Sequence, residues 1–287
     1  MTLTVGSLFS GIGGLDLGLE RAGMRVIWQS EIDPFASRVL AKHWKDVPNH
    51  GDIKQIDWSA VERPDVICGG YPCQPFSKAG QRRGTDDPRH LFPWVLQAIS
   101  GLRPRYAILE NVRGHLSMGG TTVLADLASI GYDAQWRLIS AASVGAPHLR
   151  ERIIIVAYPN SSDTPNGRER ENVPSASRSR TYDGSGSKRD IGQVSVGSTR
   201  QIERTLSDSG CFGCLDRRAQ IFPTERRVAA QSQPSLSGWW KTEPDVGRVA
   251  NGIPSRVDRL RGLGNAVVPQ VAEFVGRLVV AHAERSL

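Results

Sequence analysis

Short apolar runs alternate with helical patterns from residue 5 to residue 157, and this alternation constrains the fold more than any other feature of the chain. The runs predict strands at Val5–Phe9, Arg25–Gln29, Val66–Cys68, Ala107–Leu109, Gln135–Ile139 and Ile153–Ala157. Between them, the sequence predicts helices at Leu15–Arg21, Pro34–His43, Leu91–Leu102 and Thr121–Ile130. Such alternation is typical of a mostly parallel sheet with helices on both faces. The predicted fold is therefore α/β, with a doubly wound sheet.

Residues that can bind a ligand follow the predicted strands at their carboxyl ends. The glycine turn Ser10–Gly14 follows the first strand, and Glu31 ends the second. Asp52 follows the next candidate strand, Cys73 follows the fourth, and Glu110 ends the fifth. In open α/β sheets, ligands bind beyond the carboxyl ends of the strands. The sequence therefore predicts that five strands bring these residues to one rim of the sheet.

Most of these residues also have a simpler interpretation. Glycines are common where a strand meets a helix, although this turn opens a helix whose amide groups suit a carboxylate or phosphate. Glu31 fits a solvated or N-capping acid, but its spacing from the turn also suits an acid that binds the ribose of a nucleoside cofactor. Asp52 equally fits a turn. Glu110 adjoins the apolar strand Ala107–Leu109, and partial burial would raise its pKa and let it donate a proton.

A loop rich in glycine and proline, Gly69–Gly84, carries Cys73. Pro72 and Pro75 stiffen the backbone on either side of the thiol. Nearby positive charge lowers a thiol's pKa and makes it a better nucleophile. Basic residues follow it at Lys78, Arg82 and Arg83. Taken alone, a cysteine in such a loop is more often structural than catalytic.

Taken in order along the chain, these segments resemble the motifs of the C5-cytosine DNA methyltransferases. The matching segments are Phe9–Gly14, Ser30–Asp33, Gly51–Ile53, Gly70–Ser77, Glu110–Val112, Gly145–Arg152 and Gly264–Pro269. Family members transfer a methyl group from S-adenosylmethionine (SAM) to C5 of a cytosine flipped out of double-stranded DNA. The resemblance implies the same activity here, on a Rossmann-like methyltransferase fold.

The resemblance also assigns the catalytic residues. The Cys73 thiolate would add to C6 of cytosine, and Glu110 would share a proton with N3. Arg150 and Arg152 would hold the O2 atom of the flipped cytosine and its flanking phosphates. As alternate residues of a segment predicted to be extended, these two arginines are expected to share one face.

A larger set of residues is expected, by the resemblance, to contact SAM. It consists of Phe9, Ser10, Gly11, Gly13, Glu31, Ile32, Asp52, Ile53, Pro72 and Asn265. Within it, the adenosine would be held by Phe9, Glu31 and Asp52. The chain departs from the family where Ile32 replaces a common aromatic residue and His148 replaces a common glutamine. The ninth motif of the family is not recognisable before Gly264.

The composition changes after Pro159, where Ser, Gly, Arg and Pro dominate to about residue 235. Composition alone fits a flexible linker, whereas the resemblance places a small irregular target-recognition region here. The expected division is a SAM-binding catalytic domain at 1–158, the recognition region at 159–250 and a returning segment at 251–287. Cys211 and Cys214 have zinc-knuckle spacing but no second ligand pair close by, so no metal is predicted.

The predicted C-terminal helix, Val267–Ala283, is amphipathic, and its pattern indicates which side chains are buried. They are Val271, Phe274, Val275 and Leu278. By the resemblance, this helix returns to pack on the SAM-binding sheet.

Charge and composition limit the kinds of partner that the protein is expected to have. A net charge of +7 favours a polyanion, and the resemblance makes it double-stranded DNA. No apolar run approaches the roughly 20 residues that span a bilayer. The 4 cysteines and the absence of an export signal favour a cytoplasmic protein. We expect a monomer. Three alternatives stay open for its system: a pair with a restriction endonuclease counterpart, a solitary enzyme or a phage-encoded enzyme.

Two other functions stay open at this stage. A branch of the family applies the same chemistry to tRNA, and a DNA-binding protein could keep the fold without catalysis. The presence of both Cys73 and Glu110 argues against the second alternative, because a binding module needs no such thiol.

Overall fold

The computed structural model describes residues 2–72, 91–115, 119–160, 209–212, 221–222 and 254–286. The predicted nucleophile Cys73 and most of the predicted recognition region lie outside these residues. The strands are β1 (Thr4–Leu8), β2 (Arg25–Ser30), β3 (Val66–Gly70), β4 (Tyr106–Val112), β5 (Tyr132–Ile139), β6 (Arg152–Pro159) and β7 (Ser209–Phe212). The α-helices are α1 (Gly14–Arg21), α2 (Pro34–His43), α3 (Phe92–Leu102), α4 (Gly120–Ser129), α5 (Arg256–Asn265) and α6 (Pro269–Arg285).

The described strands form a single 7-stranded sheet in the order β2-β1-β3-β4-β6-β5-β7. β1 pairs in parallel with β2 and β3, and β3 pairs in parallel with β4. β6 runs antiparallel to both β4 and β5, and β7 runs antiparallel to β5. Strands β1 to β5 therefore point in one direction, and the predicted mostly parallel α/β sheet is confirmed.

Helices cover both faces of this sheet, and a hydrophobic cluster lies on each. In β3, Ile67 packs into the cluster that contains Ile99 of α3. The neighbouring Val66 and Cys68 point into the other cluster, with α1 and α6. This alternation is the period of two that a strand buried on both faces requires.

The prediction of a strand before Asp52 is wrong. In this segment the structure records only an isolated bridge between Asn49 and Gln29, and Asp52 caps one turn of 3₁₀-helix, Ile53–Gln55. Pro48 lacks the amide hydrogen that a ladder needs, and Gly51 has a φ of 72°. A loop, not a strand, therefore brings Asp52 to the rim.

Helix α6 packs on α1, as expected of the returning helix. The contact is close because a Cβ atom added at Gly18 would lie 2.3 Å from the carbonyl oxygen of Pro269. The predicted buried face is partly wrong, since Phe274 and Leu278 are only partly buried. The fully buried positions are Val271, Ala272, Val275, Gly276, Val279, His282 and Ala283. Small residues face α1 because they let the two backbones approach.

Within the described residues, one stretch, Arg256–Arg285, is long and apolar enough to cross a membrane by length and composition alone. It comprises α5 and α6, and the apolar side of α6 is buried inside the protein. Packing against the sheet accounts for this apolarity.

Part of the predicted recognition region joins the sheet. β7 pairs with β5 at one edge, and Ile221 and Phe222 are buried. Their amides both donate to Oε1 of Gln135, at 2.9 and 3.3 Å. These residues therefore belong to the core of the sheet, although they follow residue 158 in the chain.

Candidate active site

A cavity of about 770 Å³ opens at the carboxyl ends of β1 to β4. This volume is in the range of cavities that bind small molecules, about 300–1,000 Å³. Most of the predicted site residues line it: Phe9, Ser10, Gly11, Glu31, Ile32, Asp52, Ile53, Pro72, Glu110, Arg152 and Asn265. Gly13 lies between the lining residues Ile12 and Gly14, Arg150 lies two residues before Arg152, and Cys73 directly follows Pro72. The rim rule for open α/β sheets thus located the cavity correctly.

The glycine turn after β1 is shaped by three residues with positive φ. Phe9, Gly11 and Gly13 have φ values of 51°, 55° and 83°. A Cβ atom at Gly13 would also lie 2.4 Å from the Trp44 ring, so two requirements select glycine there. Phe9 adopts this conformation despite its side chain, which costs about 1–2 kcal/mol. The turn is therefore a strained, specific shape rather than a loose connection.

Asp16, in the first turn of α1, lies fully buried beneath this turn, and the sequence analysis missed it. Its carboxylate accepts hydrogen bonds from Oγ of Ser7 at 3.0 Å and Nε2 of Gln29 at 2.8 Å. The Ser10 hydroxyl in turn lies 2.9 Å from that of Ser7. Burial raises the pKa of Asp16 to about 6, against the lowering effect of these hydrogen bonds. The only hint in the sequence was that Asp16 directly follows the apolar Leu15 in the first turn of a predicted helix.

Glu31 is held by backbone amides. Its two carboxylate oxygens accept from the amide of Gly11 at 2.8 Å and from that of Asp33 at 2.7 Å. A carboxylate has about four acceptor sites, so the described residues leave two of them for a ligand in the cavity. Glu31 is not the N-cap of α2, because Asp33 caps that helix.

Two further predicted residues line the same side of the cavity. The Asp52 carboxylate accepts from the amide of Lys54 at 3.0 Å, so the turn interpretation of Asp52 is also correct. Ile32 leaves 67% of its surface exposed. An apolar side chain exposed in a cavity wall suits a flat apolar group.

Glu110 and Arg152 form a partly enclosed ion pair. Nε of Arg152 lies 2.7 Å from Oε1 of Glu110, whose side chain is 9% exposed. A Cβ atom at Gly70 would lie 2.8 Å from Oε2, so the absence of a side chain makes room for the acid. Burial raises the pKa of Glu110, opposed by the charges of Arg152 and Arg150. The raised pKa predicted from its position in the sequence is confirmed.

The prediction that Arg150 shares an extended face with Arg152 is wrong. Arg150 has a φ of 34° and lies before β6, whereas Arg152 begins that strand. The loop before it closes when the amide of Ala141 donates to the Leu149 carbonyl at 2.7 Å, so the chain must turn there. Nη2 of Arg150 donates to the carbonyls of Gly264 and Ala266, at 2.7 and 2.6 Å. Arg150 thus ties the α5–α6 connection to the rim.

The C-terminal segment supplies the opposite wall of the cavity. Asn265 ends α5 and lines the cavity, as do Gly264 and Val267. Arg261 also lines it, and its Nη1 lies 3.7 Å from Oδ2 of Asp33. The cavity is therefore closed by residues from both ends of the chain.

The part of the chain that the structure describes contains no group of His, Cys, Asp or Glu residues that could hold a metal ion. Of the zinc-knuckle pair, Cys211 lies in β7 and Cys214 lies outside the described residues. The prediction on metal binding stays a prediction.

Comparison with known proteins decides the family. A family model described as C-5 cytosine-specific DNA methylase matches residues 3–211. The chain belongs to this family. The match includes the motif segments from Phe9–Gly14 to Gly145–Arg152, together with residues 209–211 of β7.

Curated relatives of the chain are named Type II methyltransferases. The Type II methyltransferase M.NaeI of Lentzea aerocolonigenes is 32% identical over 326 residues, covering 98% of this chain and 75% of the relative. M.BsuFI of Bacillus subtilis is 37% identical over 161 residues, covering 54% of this chain and 39% of the relative. M.NgoMIV of Neisseria gonorrhoeae is 36% identical over 167 residues, covering 56% and 53%. The chain thus spans about half or less of the length of the last two.

Solved structures establish the fold. A Spodoptera frugiperda DNMT2 mutant has a TM-score of 0.58 at 17% identity, covering 97% of this chain and 100% of that one. The S. pombe Dnmt2 methyltransferase has a TM-score of 0.57 at 18% identity, covering 97% and 99%. At these identities the likeness concerns the fold alone, and it agrees with the predicted methyltransferase architecture.

Proposed function

We propose that this protein transfers the methyl group of SAM to C5 of a cytosine in a specific double-stranded DNA sequence. One observation carries the proposal: in a member of the C-5 cytosine-specific DNA methylase family, one cavity joins the predicted cofactor residues to Glu110 and Arg152. The residues present fit both a nucleoside cofactor and acid-assisted chemistry on a base.

The cavity fits SAM. The described residues leave two acceptor sites of Glu31 for the ribose hydroxyls, and the exposed Ile32 offers an apolar surface to the adenine. The glycine turn leads into α1, and the amide groups at a helix N-terminus suit the carboxylate of the methionine part. When bound, SAM supplies the electrophilic methyl group.

Cys73 and Glu110 would activate the cytosine together. The Cys73 sulfur forms a bond to C6 while Glu110 gives a proton to N3, so that an enamine forms rather than a carbanion. Because the pKa of Glu110 is raised by burial, this acid holds its proton more readily than an exposed glutamate. After C5 takes the methyl group, a base removes the C5 proton. The bond between sulfur and C6 then breaks, and the N3 proton returns to Glu110.

The target cytosine must leave the helical stack to reach this cavity. Unstacking and unpairing a base cost a few kcal/mol, which contacts to the flipped base must offset. Arg152 is aligned by Glu110 in the cavity wall, where it can donate to the O2 atom of the cytosine. Arg150, anchored on the carbonyls of the α5–α6 connection, would act on the flanking phosphates.

The proposed division of the chain assigns target recognition to a region of its own. Residues 159–250 would read the target sequence, with β7 and residues 221–222 anchoring the region to the catalytic sheet. The named Type II methyltransferase relatives support a restriction endonuclease counterpart in the same system. We further propose a monomeric cytoplasmic enzyme.

Base-resolution mapping of 5-methylcytosine tests the proposal. The protein is expressed in cells without cytosine-5 methylation, beside Cys73→Ala and Glu110→Gln as matched controls. We expect methylation at one sequence with the unaltered protein and little or none with the two variants. Methylation of tRNA alone would assign the protein to the other substrate, and absence of both products would refute the proposal.

A further inference from the structure

Tyr71 links the end of β3 to the segment that leads to Cys73. It directly follows Gly70 and is only 4% exposed. Its ring packs on Phe92 of α3, with the ring centroids 5.1 Å apart. Its position is therefore fixed by packing in the core, two residues before the predicted nucleophile.

The segment that carries Glu110 contacts Tyr71 at its backbone carbonyl and at its side-chain hydroxyl. Nδ2 of Asn111 donates to the backbone carbonyl of Tyr71 at 3.1 Å. The Tyr71 hydroxyl lies 2.9 Å from Nε2 of His115, and the two rings meet edge to face at 79°. Glu110, Asn111 and His115 are close in sequence, so one short stretch supplies the acid and both contacts.

His115 is a buried histidine. Its side chain is 4% exposed, and its Nδ1 has no hydrogen-bond partner among the described residues. Burial lowers the pKa of His115 to about 4, so the ring is neutral near neutral pH. A buried polar atom without a partner is destabilising, and an apolar ring of similar size would avoid this cost. The imidazole can form the hydrogen bond with Tyr71, whereas an apolar ring cannot.

We propose that His115 is a positioning residue for methyl transfer, which holds Tyr71 and Pro72 in a fixed position relative to Glu110. This inference rests on the proposed function, because it assumes that Cys73 and Glu110 act on the same base. The Cys73 thiolate must then reach C6 of the same cytosine whose N3 receives the proton of Glu110. A misplacement of about 1 Å lowers a rate by roughly a hundredfold.

The test removes the hydrogen bond from either side. Tyr71→Phe deletes only the hydroxyl, His115→Phe replaces the imidazole by an apolar ring, and His115→Gln keeps a polar group near the place of Nε2. A matched control is Tyr106→Phe, because the Tyr106 hydroxyl makes the same kind of bond to Nδ1 of His282 at 2.7 Å. Tyr106 begins β4, at the end of the strand away from Glu110.

For each protein, kcat, KM for DNA, the dissociation constant for SAM and the melting temperature are measured. We expect Tyr71→Phe and His115→Phe to lower kcat by about tenfold or more, with SAM affinity within about twofold of the unaltered protein. The double variant should be no worse than either single variant, since both remove one bond. His115→Gln should recover most of kcat, and Tyr106→Phe should keep it.

Several results would overturn the inference. One is an unchanged kcat in Tyr71→Phe, which decides the matter even if His115→Phe fails to fold. Another is an equal loss of kcat in the Tyr106→Phe control, which would indicate a general effect of stability. If the variants and the unaltered protein are equally active, only the positioning role of His115 is refuted. An unaltered protein that methylates no DNA refutes the proposed function, and this inference with it.

Discussion

Replacement of Asp16 by asparagine should change how the stability of the protein depends on pH. Each pKa unit corresponds to about 1.36 kcal/mol. Burial raises the pKa of Asp16 from its ordinary value of 3.8 to about 6, which corresponds to about 3 kcal/mol against the ionised form. Because the folded state binds this proton more tightly than the unfolded state, the contribution of Asp16 is most favourable below about pH 4. It is lost as the pH rises through about 6.

Asparagine at position 16 keeps the shape of the side chain but cannot ionise. It can still accept from the Ser7 hydroxyl, and rotation of the Gln29 amide provides a partner for its own amide group. The variant should therefore lack this pH dependence. We expect its unfolding free energy, relative to the unaltered protein, to rise by about 2.5 kcal/mol between pH 4 and pH 7.5, because the rest of the change falls below pH 4.

Urea unfolding of both proteins across this pH range measures the difference between their unfolding free energies. The contributions of other titrating groups are the same in both proteins and cancel in this difference. Two ionisable groups lie close to Asp16. Cys68 is kept neutral because burial raises its pKa, and the charge of Glu20 adds a small repulsion to Asp16. Glu20→Gln is the matched control and should change the pH dependence by less than about 1 kcal/mol. A difference between Asp16→Asn and the unaltered protein that stays constant with pH would show that Asp16 does not titrate near 6, and would refute the reasoning.

Further perturbations separate binding, chemistry, packing and recognition. Glu31→Ala should weaken SAM binding by roughly tenfold or more in calorimetric titration, because charge-assisted hydrogen bonds are worth about 1.5–3 kcal/mol each. Glu110→Gln should lower turnover and leave SAM affinity nearly unchanged, so equal losses of affinity in the two variants would contradict the assignment. Gly18→Ala should destabilise the protein by about 1–3 kcal/mol in thermal unfolding, since its Cβ would lie 2.3 Å from the Pro269 carbonyl. Deletion of residues 166–204 should preserve SAM binding but abolish site-specific methylation, and continued methylation of the same site would place recognition elsewhere.

The fold and the position of the site were predictable because they depend on strong, local patterns. Apolar runs in β1, β3 and β4 identify strands buried on both faces, and the order of strands and helices then sets the rim where ligands bind. The prediction of a strand before Asp52 failed because Pro48 lacks an amide hydrogen and Gly51 has a positive φ, so this segment makes only an isolated bridge. The error at Arg150 has a similar origin, since one residue with positive φ removes the alternation of an extended chain.

The contacts that the sequence analysis missed depend on pairs far apart in the chain. Tyr71 and His115 are 44 residues apart, and no local pattern links them. Asp16 and Gln29 are closer, but whether that acid faces β1 or solvent depends on the rotation of α1. In the same way, the buried side of α6 follows from how closely Gly18 lets it approach, not from the amphipathic pattern of α6 itself.

The packing of α6 on α1 has a consequence for how the protein is made. The ribosome completes α1 about 250 residues before it completes α6, which takes roughly 12–50 s at 5–20 residues per second. Until then, the side of α1 that carries Gly14 and Gly18 has no covering helix, and the wall that Asn265 forms does not exist. We therefore expect nascent chains to hold an incomplete domain that binds SAM poorly and exposes apolar surface to chaperones. Competence to modify DNA would then arise only after α6 has been synthesised and has packed on α1.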